Sequence, residues 1–253
     1  MSDLKGKISL ITGASGGIGA AIARQLAGQG SIVVLHYNRD EQAARELEKQ
    51  IISAGGQAHI IQADLSLATG PESLVQKLDT LLQTHYGSPD FDILINNAGK
   101  GGRQPLEDLT PAQFATLLQI NLASPLFLIQ QALTRLRPDG RIINISSIGT
   151  RSAWPEMVAY APTKAGLEAI TLSLAPKLGE RGITINAVLP GATATAMNPR
   201  ANNKKTAAGV AKTIALGRVG QPEDIAHVVS FLASQQGGWI TGQSIDASGG
   251  QRL

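Results

Sequence analysis

The chain contains no cysteine, which excludes disulfides, cysteine-ligated metals, iron–sulfur clusters and thiol catalysis. The few histidines are isolated from one another along the sequence and show no spacing typical of metal ligands. They are His36, His59, His85 and His227. We therefore expect no metal site, and we interpret each histidine as a surface or core residue.

Dense charge and long apolar runs are also missing. The formal net charge is +3 at pH 7, and the Lys and Arg residues are scattered rather than gathered into a basic patch that would bind nucleic acid or a membrane. We expect no apolar segment long enough to span a bilayer. The polar stretch Met1 to Lys7 shows no apolar run typical of a signal peptide. The expectation is a cytoplasmic protein without a nucleic-acid or membrane partner.

Short apolar runs alternate with longer segments of helical period, a pattern typical of βαβ units that build a parallel sheet. The predicted strands are Ile8 to Ile11, Ile32 to Tyr37, Ala58 to Gln62, Ile93 to Asn96, Arg141 to Ile145, Thr184 to Leu189 and Gln243 to Asp246. The predicted helices are Ile18 to Ala27, Glu41 to Ala54, Pro71 to Tyr86, Pro111 to Leu136, Met157 to Leu178 and Pro222 to Ala233. The sequence thus predicts an α/β, Rossmann-type doubly wound parallel sheet of seven strands, in a single domain over residues 1–253.

The least regular stretch of the chain, residues 191–216, follows the sixth predicted strand. It therefore lies at the carboxyl edge of the sheet, where doubly wound folds bind their ligands. We interpret it as a mobile substrate lid, with a surface loop of no special function as the alternative.

A glycine-rich segment, Thr12 to Gly19, joins the first predicted strand to the first helix. Gly13, Gly17 and Gly19 suit a tight turn, a close approach of the backbone to a pyrophosphate, and close packing of helix on strand. Their spacing is G-x-x-x-G-x-G rather than the G-x-G-x-x-G of the best-known fingerprint. The position between strand and helix at the start of the fold indicates a phosphate-binding loop.

The same loop also fits the G-x-S-x-G pattern of hydrolases around Ser15, which makes a serine hydrolase the competing interpretation. A hydrolase serine follows several strands, whereas only the first strand precedes Ser15. His227 could act as the base, but no acid in a recognisable setting accompanies it.

Three polar residues suggest acid/base chemistry, and a fourth lies near them in the predicted fold. Tyr160 and Lys164 stand four residues apart, so on a helix they share one face, and a nearby ammonium lowers the pKa of a phenol. Ser147 follows the fifth predicted strand, where its hydroxyl can hold a substrate oxygen beside Tyr160. Asn121 lies among apolar residues within a helix and needs a partner there, which by itself favours a buried structural hydrogen bond.

Further motifs recur in order along the chain. They are Asp64, Asn96 to Gly99, Pro190 with Gly191, Gly220 to Ala226, and Ile240 to Gln243. With the glycine-rich loop and the Tyr/Lys pair, they make the whole chain resemble a short-chain dehydrogenase/reductase of the compact single-domain type. The resemblance implies an oxidoreductase that moves a hydride between NAD(P) and a carbonyl or secondary alcohol.

The resemblance also implies roles for individual residues. Tyr160 would be the acid/base, Ser147 would orient the substrate oxygen, Lys164 would hold the nicotinamide ribose and lower the pKa of the tyrosine, and Asn121 would anchor a water in a proton relay. The implied cofactor-binding residues are Gly13, Ser15, Gly17, Ile18, Gly19, Asn38, Arg39, Asp64, Leu65, Asn97, Ala98, Gly99, Tyr160, Lys164, Pro190, Gly191, Thr193 and Thr195. Pro162, between the tyrosine and the lysine, is tolerable if the helix starts close by.

The end of the second strand predicts a preference for NADP(H). An NAD-selective site places a carboxylate there for the ribose hydroxyls, but the residues are His36, Tyr37, Asn38 and Arg39. Arg39 suits a phosphate, and Asp40 is interpreted as the cap of the next helix. Because Gly16 occupies another common basic position, the expected selectivity is modest.

Within the family, the chain most resembles the 3-oxoacyl-carrier-protein reductases. Arg181 stands at one of their carrier-docking positions, and Arg137 lies near the other. The substrate pocket is expected from loops near Lys100 to Gln104, Thr150 to Met157 and Ala192 to Ala208. A carrier-bound thioester and a free ketone, steroid, sugar or quinone all stay open as small-molecule substrates. A non-catalytic nucleotide-sensing protein on the same fold is the alternative function. A homo-oligomer, a tetramer by resemblance, is expected from the apolar helices Pro111 to Leu136 and Met157 to Leu178.

Overall fold

The computed structural model describes residues 4–252, so the first residues of the polar stretch Met1 to Lys7 lie outside the described residues. Within residues 4–252, seven parallel strands form one sheet in the order β3-β2-β1-β4-β5-β6-β7. The strands are β1 Ile8–Ile11, β2 Ile32–Tyr37, β3 Gln57–Gln62, β4 Phe91–Asn96, β5 Leu136–Ile145, β6 Thr184–Pro190 and β7 Ser244–Ala247. The predicted doubly wound α/β fold is confirmed.

The helices cover both faces of the sheet. They are α1 Gly17–Gly28, α2 Glu41–Ser53, α3 Gly70–Tyr86, α4 Pro111–Leu118, α5 Ser124–Ala132, α6 Tyr160–Gly179, α7 Pro199–Asn202, α8 Lys204–Ala211 and α9 Pro222–Ala233. One core cluster includes residues of α1, α2 and α9, and another includes residues of α3, α5 and α6. Apolar strands buried on both faces are what a parallel sheet covered by helices requires.

The chain order reverses between β1 and β4, which are neighbours at the centre of the sheet. The loops after these two strands therefore diverge to opposite faces and leave a crevice at the carboxyl edge. The glycine-rich loop follows β1 and the Asn97–Gly99 segment follows β4. The fold thus brings two of the sequence motifs to one place.

The predicted helix Pro111 to Leu136 is wrong in its middle and at its end. Residues Gln119–Ala123 form a π-helical turn between α4 and α5, and the helical segment ends at Ala132. Leu136 instead begins β5, which contains a register shift against β4. An apolar period predicts the buried face of a helix, but it does not reveal an inserted residue or the exact end.

The combined helical segment Pro111–Ala132 also corrects the expectation that no segment is long enough to span a bilayer. By length and composition it meets that requirement. Here it lies on the sheet, where Leu128, Ile129 and Ala132 belong to a core cluster shared with α3 and α6.

Side chains cap two helix starts, the second of them as predicted. Thr110 and Gln113 form a reciprocal capping box at α4, and the Asp40 carboxylate accepts a hydrogen bond from Ala43 N at 2.9 Å at the start of α2. The predicted helix at Met157 instead begins at Tyr160, so Pro162 falls in the first turn, where its missing N–H has no intrahelical partner to lose.

Candidate active site

A cavity of about 730 Å³ opens at the carboxyl edge of the sheet. Its walls come from the loops after β1, β4, β5 and β6 and from the start of α6. Most of the predicted site residues line this cavity. They are Gly13, Ser15, Gly17, Ile18, Asn97, Ala98, Gly99, Ser147, Tyr160, Lys164, Pro190, Gly191, Thr193 and Thr195.

The glycine-rich loop cannot carry side chains at its key positions. Gly13 and Gly17 have φ angles of 64° and 53°, in the left-handed region that favours glycine. Gly19 does not line the cavity, but a Cβ there would clash with the carbonyl of Gly13 and lie 2.5 Å from Asn97 Nδ2. Gly19 therefore permits close packing, and the other two glycines permit the turn.

Buried hydrogen bonds hold this loop to the neighbouring strands. Asn97 Nδ2 donates to the carbonyls of Thr12 and Gly13 at 2.9 and 3.0 Å, and Thr12 Oγ1 accepts from Asn97 N and Ala98 N. The Gly13 N–H donates to His36 Nδ1 at 3.1 Å, and His36 Nε2 donates to the carbonyl of Ala63. Burial lowers the pKa of His36 to about 4, so the ring stays neutral and keeps both bonds.

The loop fits a dinucleotide phosphate. Helix α1 starts at Gly17, and its N-cap, Gly16, supplies no side-chain hydrogen bond. The first turn of α1 also contains no acidic residue, so the amides and the positive end of the helix dipole face the cavity without a competing carboxylate. Thr195 lies opposite, 3.3 Å from where a Cβ on Gly17 would be.

The residues predicted for the adenosine end form a separate cluster outside the cavity wall. Asn38 Nδ2 donates to Asp64 Oδ1 at 3.1 Å, and Arg39 beside them is exposed. Bonds from Ser66 hold the pKa of Asp64 below its ordinary value. The side chain of Leu65, another of the implied cofactor-binding residues, is buried in the core.

Tyr160, Lys164 and Ser147 meet at the inner wall of the cavity. Lys164 Nζ lies 5.9 Å from the centre of the Tyr160 ring and donates to the carbonyl of Ile145 at 2.8 Å. Ser147 follows the end of β5, and its Oγ accepts from Gly149 N at 3.1 Å. The helical spacing of four residues has placed the phenol and the ammonium on one face, as expected.

Burial dominates the electrostatics of this group. Burial raises the pKa of Tyr160 to about 12, while the Ser147 hydroxyl and the positive charge of Arg103 oppose that rise. Burial also lowers the pKa of Lys164 to about 8. The phenol is therefore protonated at neutral pH and ready to donate.

Asn121 lies in the π-helical turn and is fully buried. Its Oδ1 accepts from Lys100 N at 2.8 Å, and its Nδ2 donates to the carbonyl of Lys100 and to Thr163 Oγ1. The side chain thus ties the loop after β4 to the first turn of α6, which carries Tyr160. The π-turn, a feature often found at functional sites, was not visible in the sequence.

The loops predicted to form the substrate pocket do line the cavity. Their residues there include Lys100, Arg103, Trp154, Met157, Met197 and Arg200. Gln251 also lines the cavity and was not predicted. The sequence did not show how the loop after β4 meets the other two. Only the fold shows that this loop faces residues 154–157 and 197–200.

One further expectation needs correction. His59 and His85 are not isolated, since their rings stack with centres 4.5 Å apart, although no potential metal-binding group was found within residues 4–252. Arg181, a candidate for docking a carrier protein, donates to the carbonyls of Leu133 and Leu136 within its own chain.

The comparisons with known proteins agree with this geometry. Residues 13–252 match a family model described as enoyl-(acyl carrier protein) reductase. The landomycin C-6 ketoreductase LanV, solved with bound NADP and rabelomycin, is 40% identical with a TM-score of 0.92, covering 99% of this chain and 98% of that one. The promiscuous reductase LugOII, which catalyses keto-reduction at C1 during lugdunomycin biosynthesis, is 42% identical with a TM-score of 0.96, covering 99% and 100%.

A hydroxynaphthalene reductase of Aspergillus fumigatus is 34% identical over 252 residues, covering 95% of this chain and 90% of the relative. The family model covers nearly the whole chain, and the similar proteins share its full length and its fold. The chain belongs to the short-chain dehydrogenase/reductase family, whose members are NAD(P)-dependent oxidoreductases that transfer a hydride between a nicotinamide and a carbonyl or alcohol carbon.

Proposed function

We propose that the protein is an NADP(H)-preferring ketoreductase whose substrate is a small ketone on a fused ring system. The observation that carries the proposal is the shared cavity, which has the phosphate loop in one wall and Tyr160, Ser147 and Lys164 in another. A dinucleotide and a carbonyl compound can therefore meet inside it.

In this proposal the chain's own residues handle the proton. Tyr160 donates its phenolic proton to the carbonyl oxygen, and its raised pKa keeps that proton available at neutral pH. Ser147 holds the same oxygen, and Lys164 binds the ribose next to the reacting ring. Asn121 fixes the loop at Lys100 against α6. The bound NADPH supplies the hydride.

The preference for NADP(H) rests on the surroundings of Arg39. Asp40 caps α2, so its carboxylate already accepts a hydrogen bond from the helix and is not offered to the ribose hydroxyls of NADH. Arg39 is exposed beside Asn38 and Asp64, where its planar, permanently charged guanidinium can meet a phosphate. The similar ketoreductase LanV is described with bound NADP.

A free fused-ring ketone fits better than a carrier-bound thioester. LanV binds rabelomycin, and the A. fumigatus relative is a hydroxynaphthalene reductase. The cavity presents Trp154, Met157, Ile148 and Met197, which suit a flat apolar ligand. The carrier-docking candidates are both engaged, Arg137 with buried Asp92 at 3.0 Å and Arg181 with main-chain carbonyls.

The lid and the tetramer remain part of the proposal. Residues 191–216 are not irregular throughout, since they contain α7 and α8, but α8 has no buried residue and can move as a lid.

Only 33% of the most apolar stretch of Pro111–Ala132 is buried, and Phe127 and Leu172 are exposed, so a second copy can cover them. A monomer mass in light scattering would contradict the tetramer.

The experiment is a panel of ketones incubated with NADPH or NADH and followed by nicotinamide absorbance. We expect oxidation of NADPH with fused-ring ketones and slower turnover with NADH. A protein that binds NADPH yet reduces no member of the panel would favour the nucleotide-sensing alternative. The serine-hydrolase alternative fails because Ser15 lies in the phosphate loop and His227 does not line the cavity.

A further inference from the structure

The part of the cavity away from the phosphate loop is lined by basic side chains. We call it the basic mouth, and its charged members are Lys100, Arg103 and Arg200, all exposed. Among residues 4–252, no aspartate or glutamate lines the cavity. Glu156 is close by, and its Oε1 accepts from Arg103 Nη1 at 2.6 Å. One carboxylate therefore faces three cations, which leaves an excess of positive charge.

Two guanidinium groups lie close to Trp154 at this mouth. The Cζ of Arg103 is 5.0 Å from the centre of a Trp154 ring, and that of Arg252 is 3.6 Å away. The indole Nε1 is buried and has no hydrogen-bond partner among the described residues. A buried N–H of this kind requires an acceptor, and the surrounding charge favours an anionic oxygen.

The anion that fits here is not a phosphate of the dinucleotide. The start of α1, at Gly16 and Gly17, has no side-chain cap and would hold the pyrophosphate, and Arg39 does not line the cavity. Arg103 lines the same cavity as Tyr160 and Ser147, so it can reach a ketone bound there. A negative charge at the mouth must therefore belong to the substrate.

We infer that the ketone substrate carries an ionised oxygen group, a carboxylate, phenolate or enolate, and that Arg103 is the specificity-determining residue that binds it. Arg103 donates from Nη1 to Glu156, and the other N–H groups of its planar guanidinium are further donors. Lys100 and Arg200 add positive charge around the same group. This inference rests on the proposed ketoreductase function and names its substrate class.

The test compares a tetralone carboxylic acid with its methyl ester, at saturating NADPH. We expect the wild type to prefer the acid roughly tenfold in kcat/KM, mostly through KM, because a charge-assisted bond is lost in the ester. Arg103→Gln should bring the ratio of the two kcat/KM values close to unity, and Arg103→Lys should restore part of it. The matched control is Arg45→Gln, which breaks a similar Arg–Glu pair on α2, away from the cavity, and should leave the ratio unchanged.

The ratio separates charge recognition from catalysis, since any change at Tyr160 affects both substrates alike. Equal losses for acid and ester in Arg103→Gln, or a wild type that favours the ester, would overturn the inference while leaving ketone reduction intact. If neither of these ketones is reduced, nor any other member of the ketone panel, the proposed function fails. Calorimetry of the protein with NADP⁺ then decides the inference separately: naphthoate must bind more tightly than methyl naphthoate, and Arg103→Gln must remove the difference.

Discussion

The nucleotide end and the substrate end of the cavity are built in different ways. At the nucleotide end, Gly13 is held between Asn97 and His36 by hydrogen bonds that link β1, β2 and β4. At the substrate end, Arg103 and Arg200 project exposed from a loop and from a helix of 4 residues. The first end is fixed by the sheet, whereas the second is free to adapt to its ligand.

This difference teaches where binding and specificity reside. Main-chain amides and glycines recognise a phosphate whatever chain carries it, so the nucleotide end needs little besides a fixed backbone. Exposed charged side chains on loops can be exchanged without disturbing the core, which suits them to the choice of substrate. Tyr160 lies between the two ends, and the predictions below probe the comparison from there outward.

The largest effect on turnover is expected at Tyr160, which lies between the two ends. Tyr160→Phe keeps the ring and removes the proton donor, so kcat should fall about 10² to 10⁴-fold while NADPH still binds. The control is Tyr86→Phe, which removes a hydroxyl bonded to His59 Nε2 at 2.8 Å, away from the cavity. Turnover of Tyr160→Phe above about a tenth of the wild-type value would contradict the assigned proton transfer.

The fixed nucleotide end should not tolerate a single methyl group. Gly19→Ala places a Cβ against the carbonyl of Gly13, and overpacking of this kind costs about 1 to 3 kcal/mol in stability. The displaced loop should also weaken NADPH binding roughly tenfold or more. In the same helix, Gly28→Ala meets no atom within 4 Å and should be neutral or stabilising in thermal unfolding. Similar melting temperatures and similar NADPH affinities for the two variants would show that the loop is not tightly packed.

Arg39 tests whether the nucleotide end also has an adaptable side chain. Arg39→Ala should weaken NADPH binding roughly tenfold to a few hundredfold and leave NADH nearly unchanged, because only NADPH has the phosphate. Titration of both cofactors by fluorescence measures the two affinities. Equal losses, or a wild type that prefers NADH, would mean that Arg39 does not contact the phosphate.

The smallest effect is a change in the pH dependence of stability, caused by the buried Lys164. Its pKa falls from 10.5 to about 8 on burial, so between these pH values the unfolded chain binds more protons than the folded one. The free energy of unfolding should therefore rise with pH across this window, relative to Lys164→Met. Denaturant titrations at several pH values check this. Lys177→Met, at an exposed lysine of the same helix, should keep the rise, and a rise that persists in Lys164→Met would refute the assignment.

The sequence predicted the nucleotide end far better than the substrate end, for a physical reason. Glycines, a strand–loop–helix order and a Tyr/Lys spacing are local features, and the parallel sheet assembles them in a known way. The π-turn at Asn121, the start of β5 and the inward side chain of Leu65 depend on packing between distant segments. So do Arg103 and Trp154, which belong to loops separated by about fifty residues and meet only in the fold.

The transfer of a hydride to the ketone carbon is the central claim, and isotope labelling tests it most directly. The wild type would be incubated with a fused-ring ketone and NADPH that carries deuterium at the transferable position. Mass spectrometry should then find the deuterium on the carbinol carbon of the product, and the same label should be absent when deuterium is supplied only by the solvent. An alcohol product without deuterium from the labelled NADPH, or cofactor binding without any alcohol, would contradict the account.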